Sequence, residues 1–139
     1  MLWAAHFALN QAVASLHGDM DMTEYRRVKV TMTEGVAVVS FTDRKILDAT
    51  AIEELAKDLF ALCENDGVKI VSDFVGLEFL SAAALNKLII LDKMIRRRSG
   101  KLAFCNIRPE IMETFEITRL DKLFIIKMSL SEALQWIRE

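Results

Sequence analysis

Residues 68–100 constrain the fold more than any other stretch, because an apolar run, a glycine turn and a long helical pattern follow one another there. Val68 to Phe74 is apolar except for Lys69, Ser72 and Asp73, the pattern of a central strand covered on both faces. Gly76 marks a turn. Ala84, Leu85, Leu88, Leu91 and Ile95 then share one helical face, from a start near Ser81 to a C-cap at Gly100. A buried strand feeding a helix N-terminus through an exposed turn belongs to a parallel sheet with crossover helices, and such turns are where α/β proteins place function.

The rest of the chain extends that pattern. Residues 25–33 alternate, with Val28, Val30 and Met32 opposed to Arg27, Lys29 and Thr31; Glu34-Gly35 is a turn; Val36 to Phe41 is a β-branched strand. These form a hairpin. Thr50 and Glu53 fit a capping box opening a helix that carries Ile52, Leu55, Ala56, Leu59, Leu62 and Cys63, and Asn65-Asp66-Gly67 ends it. Lys101 to Cys105 is a strand, Arg108-Pro109 opens a short helix with Pro at its first position, and Leu123 to Ile126 is a last strand. Ser129 and Glu132 form a second capping box before Leu130, Ala133, Leu134 and Ile137. The order ββαβαβαβα requires right-handed parallel crossovers after the hairpin.

Composition sets the class. The chain has 139 residues, is 53% apolar and has a net charge of −2, so it suits one globular domain and offers no general field for nucleic acid. Residues 1–24 read as an extension. Leu2, His6, Leu9, Val13 and Leu16 trace an amphipathic helix, and Met20 or Met22 offers an alternative natural start. Residues 1–17 lack Lys and Arg, so the charged region of a signal peptide is missing, and the apolar stretch is too short to span a bilayer. Cys63 and Cys105 lack zinc-ligand spacing and fit small buried hydrophobes in a reducing cytosol.

Signals of catalysis are sparse. No Gly-rich phosphate loop occurs, and the two histidines, His6 and His17, lie in the extension. Asp43, Asp48 and Asp73 lie near strand ends, and three gathered carboxylates would bind Mg²⁺ or act as acid and base. The plain alternative makes them loop and strand-end residues. Ser81 precedes Ala82-Ala83-Ala84, so its hydroxyl suits an N-cap. The same helix start tolerates a phosphate. Arg96, Arg97 and Arg98 complement the helix dipole at the far end, with phosphate or lipid contact as the alternative.

From about residue 25 to 138 the chain resembles the STAS domain of bacterial anti-sigma factor antagonists. Leu47-Asp48-Ala49-Thr50 resembles the family's loop before the first helix. Val71 through Ser81 resembles the strand entering its signature turn, and Arg98 to Glu110 with Ile117 to Phe124 resembles the C-terminal half. The resemblance implies an α/β fold with a mixed sheet of about five strands and helices packed mainly on one face, those at 50–64 and 82–98. It implies a cytoplasmic binding protein without cofactor, metal or catalytic residue. Its partner would be an anti-sigma serine kinase, whose capture frees a sigma factor; no nucleic acid or direct membrane contact is expected. A STAS module serving a lipid-transport or stress-signalling complex is the alternative.

The family carries Asp-Ser-Ser-Gly at the start of its second helix, and the kinase phosphorylates the first Ser. With Phe79-Leu80 and Leu85 as anchors, Ser81 meets the Asp and Ala82 meets the phospho-accepting Ser. Ser81 keeps the capping role, but the switch hydroxyl is gone; Ser81 is the possible substitute acceptor. The expected partner-binding residues are Asp43, Asp48, Thr50, Ser81, Ala82, Ala83 and Asn86, with Asp48 offering a charge and the alanines permitting close approach.

Overall fold

Alternating β-branched residues flanking Glu34-Gly35 fold into a tight hairpin. The computed structural model describes residues 25–139, so the expected extension helix lies outside the described residues. Strands β1 (Val28–Thr33) and β2 (Val36–Phe41) pair antiparallel, with Thr33 opposite Val36. Glu34 (φ 52°) and Gly35 (φ 84°) both adopt left-handed backbone, which matches the strand twist in a two-residue loop. The chain continues through β3 (Lys45–Ile46), α1 (Ala49–Ala61), β4 (Lys69–Asp73), β5 (Phe79–Leu80) and α2 (Ala82–Arg97). It then forms β6 (Lys101–Cys105), α3 (Pro109–Ile117), α4 (Leu120–Leu123), β7 (Ile125–Lys127) and α5 (Leu130–Arg138).

The main sheet has the order β1-β2-β4-β6-β7; β2, β4, β6 and β7 run parallel, so the five strands are mixed as expected. Ile70, Val71 and Ser72 of central β4 are all buried. Successive side chains point to opposite faces. Ile70 and Phe74 therefore join a large core beneath α1, α2, α3 and α4, while Val71 joins Val36, Ala103 and Cys105 beneath Ala133 and Ile137 of α5. Phe74 lies at the middle of the large core, edge-on to Phe41 (5.1 Å), Phe104 (5.5 Å) and Phe115 (6.2 Å). Burying one such side chain stabilises the fold by about 1.5–3 kcal/mol.

Local details differ from the sequence expectation in four places. First, α1 is not opened by a Thr50–Glu53 box. Asp48 is the N-cap and accepts from the Ala51 N–H at 2.8 Å, placing Thr50 inside the first turn. Asp outranks Thr as a cap, and the Ile52 N–H to Asp48 carbonyl bond (3.0 Å) closes the turn from that position. Second, the left-handed residue ending α2 is Ser99 (φ 59°), not Gly100. Gly100 and Ser99 N–H groups bond the Ile95 and Arg96 carbonyls at 2.8 and 3.1 Å, a Schellman closure. Gly100 is needed for space, since a Cβ there would sit 2.5 Å from the Val68 carbonyl oxygen. Third, Leu123 belongs to α4, entered through left-handed Arg119, and the last strand starts at Ile125. Fourth, β3 and β5 form a separate two-stranded parallel sheet with no counterpart in the expected order.

In the second expected capping box, Ser129 caps the Glu132 N–H at 3.2 Å, while Glu132 reaches the Met128 N–H at 3.1 Å.

Candidate functional site

The small β3–β5 sheet brings two helix starts together. Lys45 pairs with Phe79 and Ile46 with Leu80. The Glu78 and Phe79 N–H groups donate to the Arg44 carbonyl at 2.7 and 3.3 Å, and the Ser81 N–H donates to the Ile46 carbonyl at 3.0 Å. Ser81, the cap of α2, directly follows β5, and Asp48, the cap of α1, follows β3 after one residue, Leu47. Ser81 Oγ accepts from the Ala84 N–H at 3.2 Å, as its spacing predicted. Neither first turn contains an acidic side chain, but the Asp48 carboxylate at its cap offsets the positive end of α1, so the start of α2, capped by neutral Ser81, is the one without an internal charge to compensate it.

The exposed surface around these caps sets apolar side chains among polar ones. Ala82, Ala83, Asn86 and Thr50 are exposed. Leu47 is 55% exposed and Phe79 49%, and both flank the caps. Both carried the family resemblance in the sequence, but neither stood among the expected partner-binding residues. Leu47 and Leu80 hold the same place, one residue before a cap; Leu80 is buried in the core with Leu85, whereas Leu47 stands in solvent. An apolar residue before a cap normally staples inward, so the pattern alone pointed the wrong way. Lys87 Nζ lies 3.5 Å from Glu53, joining the outer sides of α1 and α2.

The acidic residues expected here are mostly occupied. Asp43 is held by Arg27, whose Nη1 lies 3.1 Å from Oδ2 and whose Nε donates to Glu54 Oε1 at 2.9 Å. The hydrogen bond from Arg27 holds the Glu54 carboxyl below the ordinary carboxylate range. Asp48 spends one carboxylate oxygen on the cap. Asp73 accepts from the Val75 N–H at 3.0 Å and from Asn106 Nδ2 at 2.9 Å. The three aspartates thus have separate jobs, and among the described residues no group of three or more His, Cys, Asp or Glu side chains could hold a metal ion. Arg44 binds Glu78 across the small sheet, Nε to Oε2 at 2.6 Å, and that hydrogen bond lowers the Glu78 carboxyl.

Elsewhere, Cys63 and Cys105 are buried, and burial pushes each thiol up to about 12, consistent with inert packing residues. The arginine run is partly internal: Arg96 Nη2 donates to the Leu123 carbonyl and Arg98 Nη1 to the Glu64 carbonyl, each at 2.6 Å. All three arginines are exposed, but two are committed to these carbonyls and only Arg97 bonds neither, a poor basis for the phosphate or lipid alternative. Among the described residues no helix is long and apolar enough to cross a membrane.

Comparison with known proteins supports the class implied by this arrangement. The STAS domain model matches residues 27–133, and the chain belongs to that family, whose members regulate and signal. BtrV of Bordetella bronchiseptica, named provisionally as an anti-sigma factor antagonist, is 24% identical over 102 residues, covering 73% of this chain and 88% of BtrV. An anti-sigma factor antagonist (STAS) domain protein from Planctomyces limnophilus shares the fold with a TM-score of 0.71 at 24% identity, covering 81% of this chain and 98% of that one. An anti-sigma factor antagonist from Mycobacterium paratuberculosis gives the same score and identity, with 81% and 93% covered. The fold is that of the anti-sigma factor antagonist STAS proteins.

Proposed function

We propose that the protein is an anti-sigma factor antagonist. In this reading it binds an anti-sigma serine kinase through the 43–50 loop and the start of α2, and so governs the supply of a sigma factor. The observation that carries it is the exposed apolar surface of Leu47, Phe79, Ala82 and Ala83 set against two helix N-termini. Apolar anchors supply affinity in such interfaces, and the small alanines allow close approach. The start of α2, capped by neutral Ser81, favours an acidic side chain from the partner.

The antagonist acts without the family's usual switch. Ala82 lies at the first helical position, where the resemblance places the phospho-accepting serine. Alanine there favours the helix and offers no oxygen to a kinase. Ser81 is a poor substitute, because its Oγ is engaged in the cap. A phosphate of roughly −2 charge at this surface would reverse its apolar character.

The test pairs the chain with candidate anti-sigma serine kinases from the same genome. Calorimetry should show binding by one of them, and phosphopeptide mass spectrometry after incubation with ATP should show no phosphate on Ser81. Ala82→Ser should acquire phosphate from that kinase and then release it, and Ala82→Asp should weaken binding without phosphate. Absence of binding to every such kinase sinks the antagonist reading. Phosphate on Ser81 of the unaltered chain sinks the constitutive one.

A further inference from the structure

Arg27 makes more polar contacts than the hairpin requires. Its N–H donates to Asp58 Oδ2 at 2.7 Å, beside the Arg26 N–H at 3.0 Å. Its carbonyl accepts from the Thr42 N–H at 3.0 Å and from Thr42 Oγ1 at 3.1 Å. Its guanidinium spans Glu54 of α1 (Nη2 to Oε1, 2.7 Å) and Asp43 of the loop (Nη1 to Oδ1 and Oδ2, 3.3 and 3.1 Å). The two side chains of the Arg27–Asp43 pair are only 27% and 29% exposed.

These contacts converge on the loop that displays Leu47. Thr42 and Asp43 are tied to Arg27; Arg44 is tied to Glu78; the Arg44 and Ile46 carbonyls are tied to the segment before α2; Asp48 caps α1. Leu47, held between Ile46 and Asp48, keeps its side chain in solvent. A preorganised loop binds more tightly because less ordering is left for the moment of association.

We infer that Arg27 is a positioning residue for the recognition surface: through Asp43 it fixes the 42–48 loop, and through that loop the spacing of Leu47 and Phe79. The inference rests on the proposed binding surface for its effect on affinity, but its effect on the loop stands alone. Arg27 need not touch the partner. It acts as a clamp whose release leaves the fold intact and lets the loop leave its binding-competent arrangement.

The experiment uses Arg27→Gln, Arg27→Lys and Asp43→Asn in the full chain, with amide hydrogen exchange, denaturant titration and affinity for the kinase that binds the unaltered chain. If clamp release lowers the competent fraction to roughly a tenth, the apparent Kd rises about tenfold. Exchange should quicken in residues 42–48 and at the Glu78, Phe79 and Ser81 amides, while β4 and β6 keep their protection. Arg27→Lys, which retains charge but loses the two-acceptor fork, should fall between. Asp43→Asn added to Arg27→Gln should cost little more, because both act through one contact. Unchanged loop exchange, uniform quickening across the domain, or affinity within about twofold of the unaltered chain overturns the inference. If no kinase binds the unaltered chain, the antagonist reading fails, and the exchange measurement alone decides the role of Arg27.

Discussion

Phe74 follows β4 and is wholly buried, its ring edge-on to Phe41, Phe104 and Phe115; a few residues later Phe79, in β5, leaves 49% of its surface in solvent. The turn between them sets the difference. Asp73 accepts from the Val75 N–H, the Leu77 N–H bonds the Phe74 carbonyl at 2.9 Å, and the chain then leaves the main sheet to pair with β3. Once β5 belongs to a two-stranded sheet, Phe79 is left half exposed among the described residues. The two phenylalanines show that residue type decides how much apolar surface exists, while pairing decides who receives it. Phe74 gives its surface to the core. Phe79 leaves half of its surface in solvent, the surface that the proposed function assigns to a partner.

Substitutions should separate these roles. The largest effect belongs to Phe74→Ala, which should lower stability by about 3–5 kcal/mol in denaturant titration while the remaining folded fraction keeps its partner affinity. Phe79→Ser should invert that outcome, weakening partner binding by about tenfold or more in calorimetry and shifting stability by no more than about 0.5 kcal/mol. If Phe79→Ser instead destabilises as Phe74→Ala does, the contrast collapses. Ser81→Ala should cost about 1 kcal/mol of stability by removing the α2 cap.

A pH measurement sharpens the interior side. Asp92 in α2 is buried, and burial pushes its carboxyl above the ordinary value against the opposing pull of Arg96, whose Nε lies 2.9 Å from Oδ2. Between the unfolded and the higher native value, the native state binds more protons than the unfolded one. Stability therefore falls as pH rises through that window and levels off above it. Asp92→Asn should reduce this decline in midpoints taken from about pH 3 to pH 7. Some slope should remain, because desolvation raises the Asp58 carboxyl in the same direction. An effect of opposite sign is expected at Ser72, a fully buried hydroxyl in β4 whose oxygen finds no hydrogen-bond partner among the described residues. Ser72→Ala should stabilise by about 1 kcal/mol.

The sequence made the long-period features legible. The apolar run ending at Phe74 and the helical face of Ala84, Leu88 and Ile95 repeat over enough residues to be unambiguous, and Ser81 sits where a cap must be. Lys45–Ile46 and Phe79–Leu80 were invisible because two residues define no period. Thr50 and Asp48 both satisfied a local capping pattern, and the closure of the first turn chose between them. Of the expected site residues, Thr50, Ala82, Ala83 and Asn86 do lie exposed beside the caps. The pairing of Asp43 with Arg27 was not legible because it links residues 16 apart in sequence, which no local pattern records. Leu47 and Phe79 were left out of the expected contacts because hydrophobicity predicts burial, and their exposure is where that expectation fails.

The cover on the second face of the sheet has a consequence for synthesis. Val36, Val71, Ala103 and Cys105 are roofed by Ala133 and Ile137 of α5, which follows every strand in chain order. As the chain emerges from the ribosome, β1 through β7 are made before their lid exists. For that interval, at about 5–20 residues per second, the nascent domain carries a naked apolar plate. Helix α5 is thus made after every strand it covers, and a translational pause before Leu130 would extend the time in which chaperones or neighbouring chains can reach that plate.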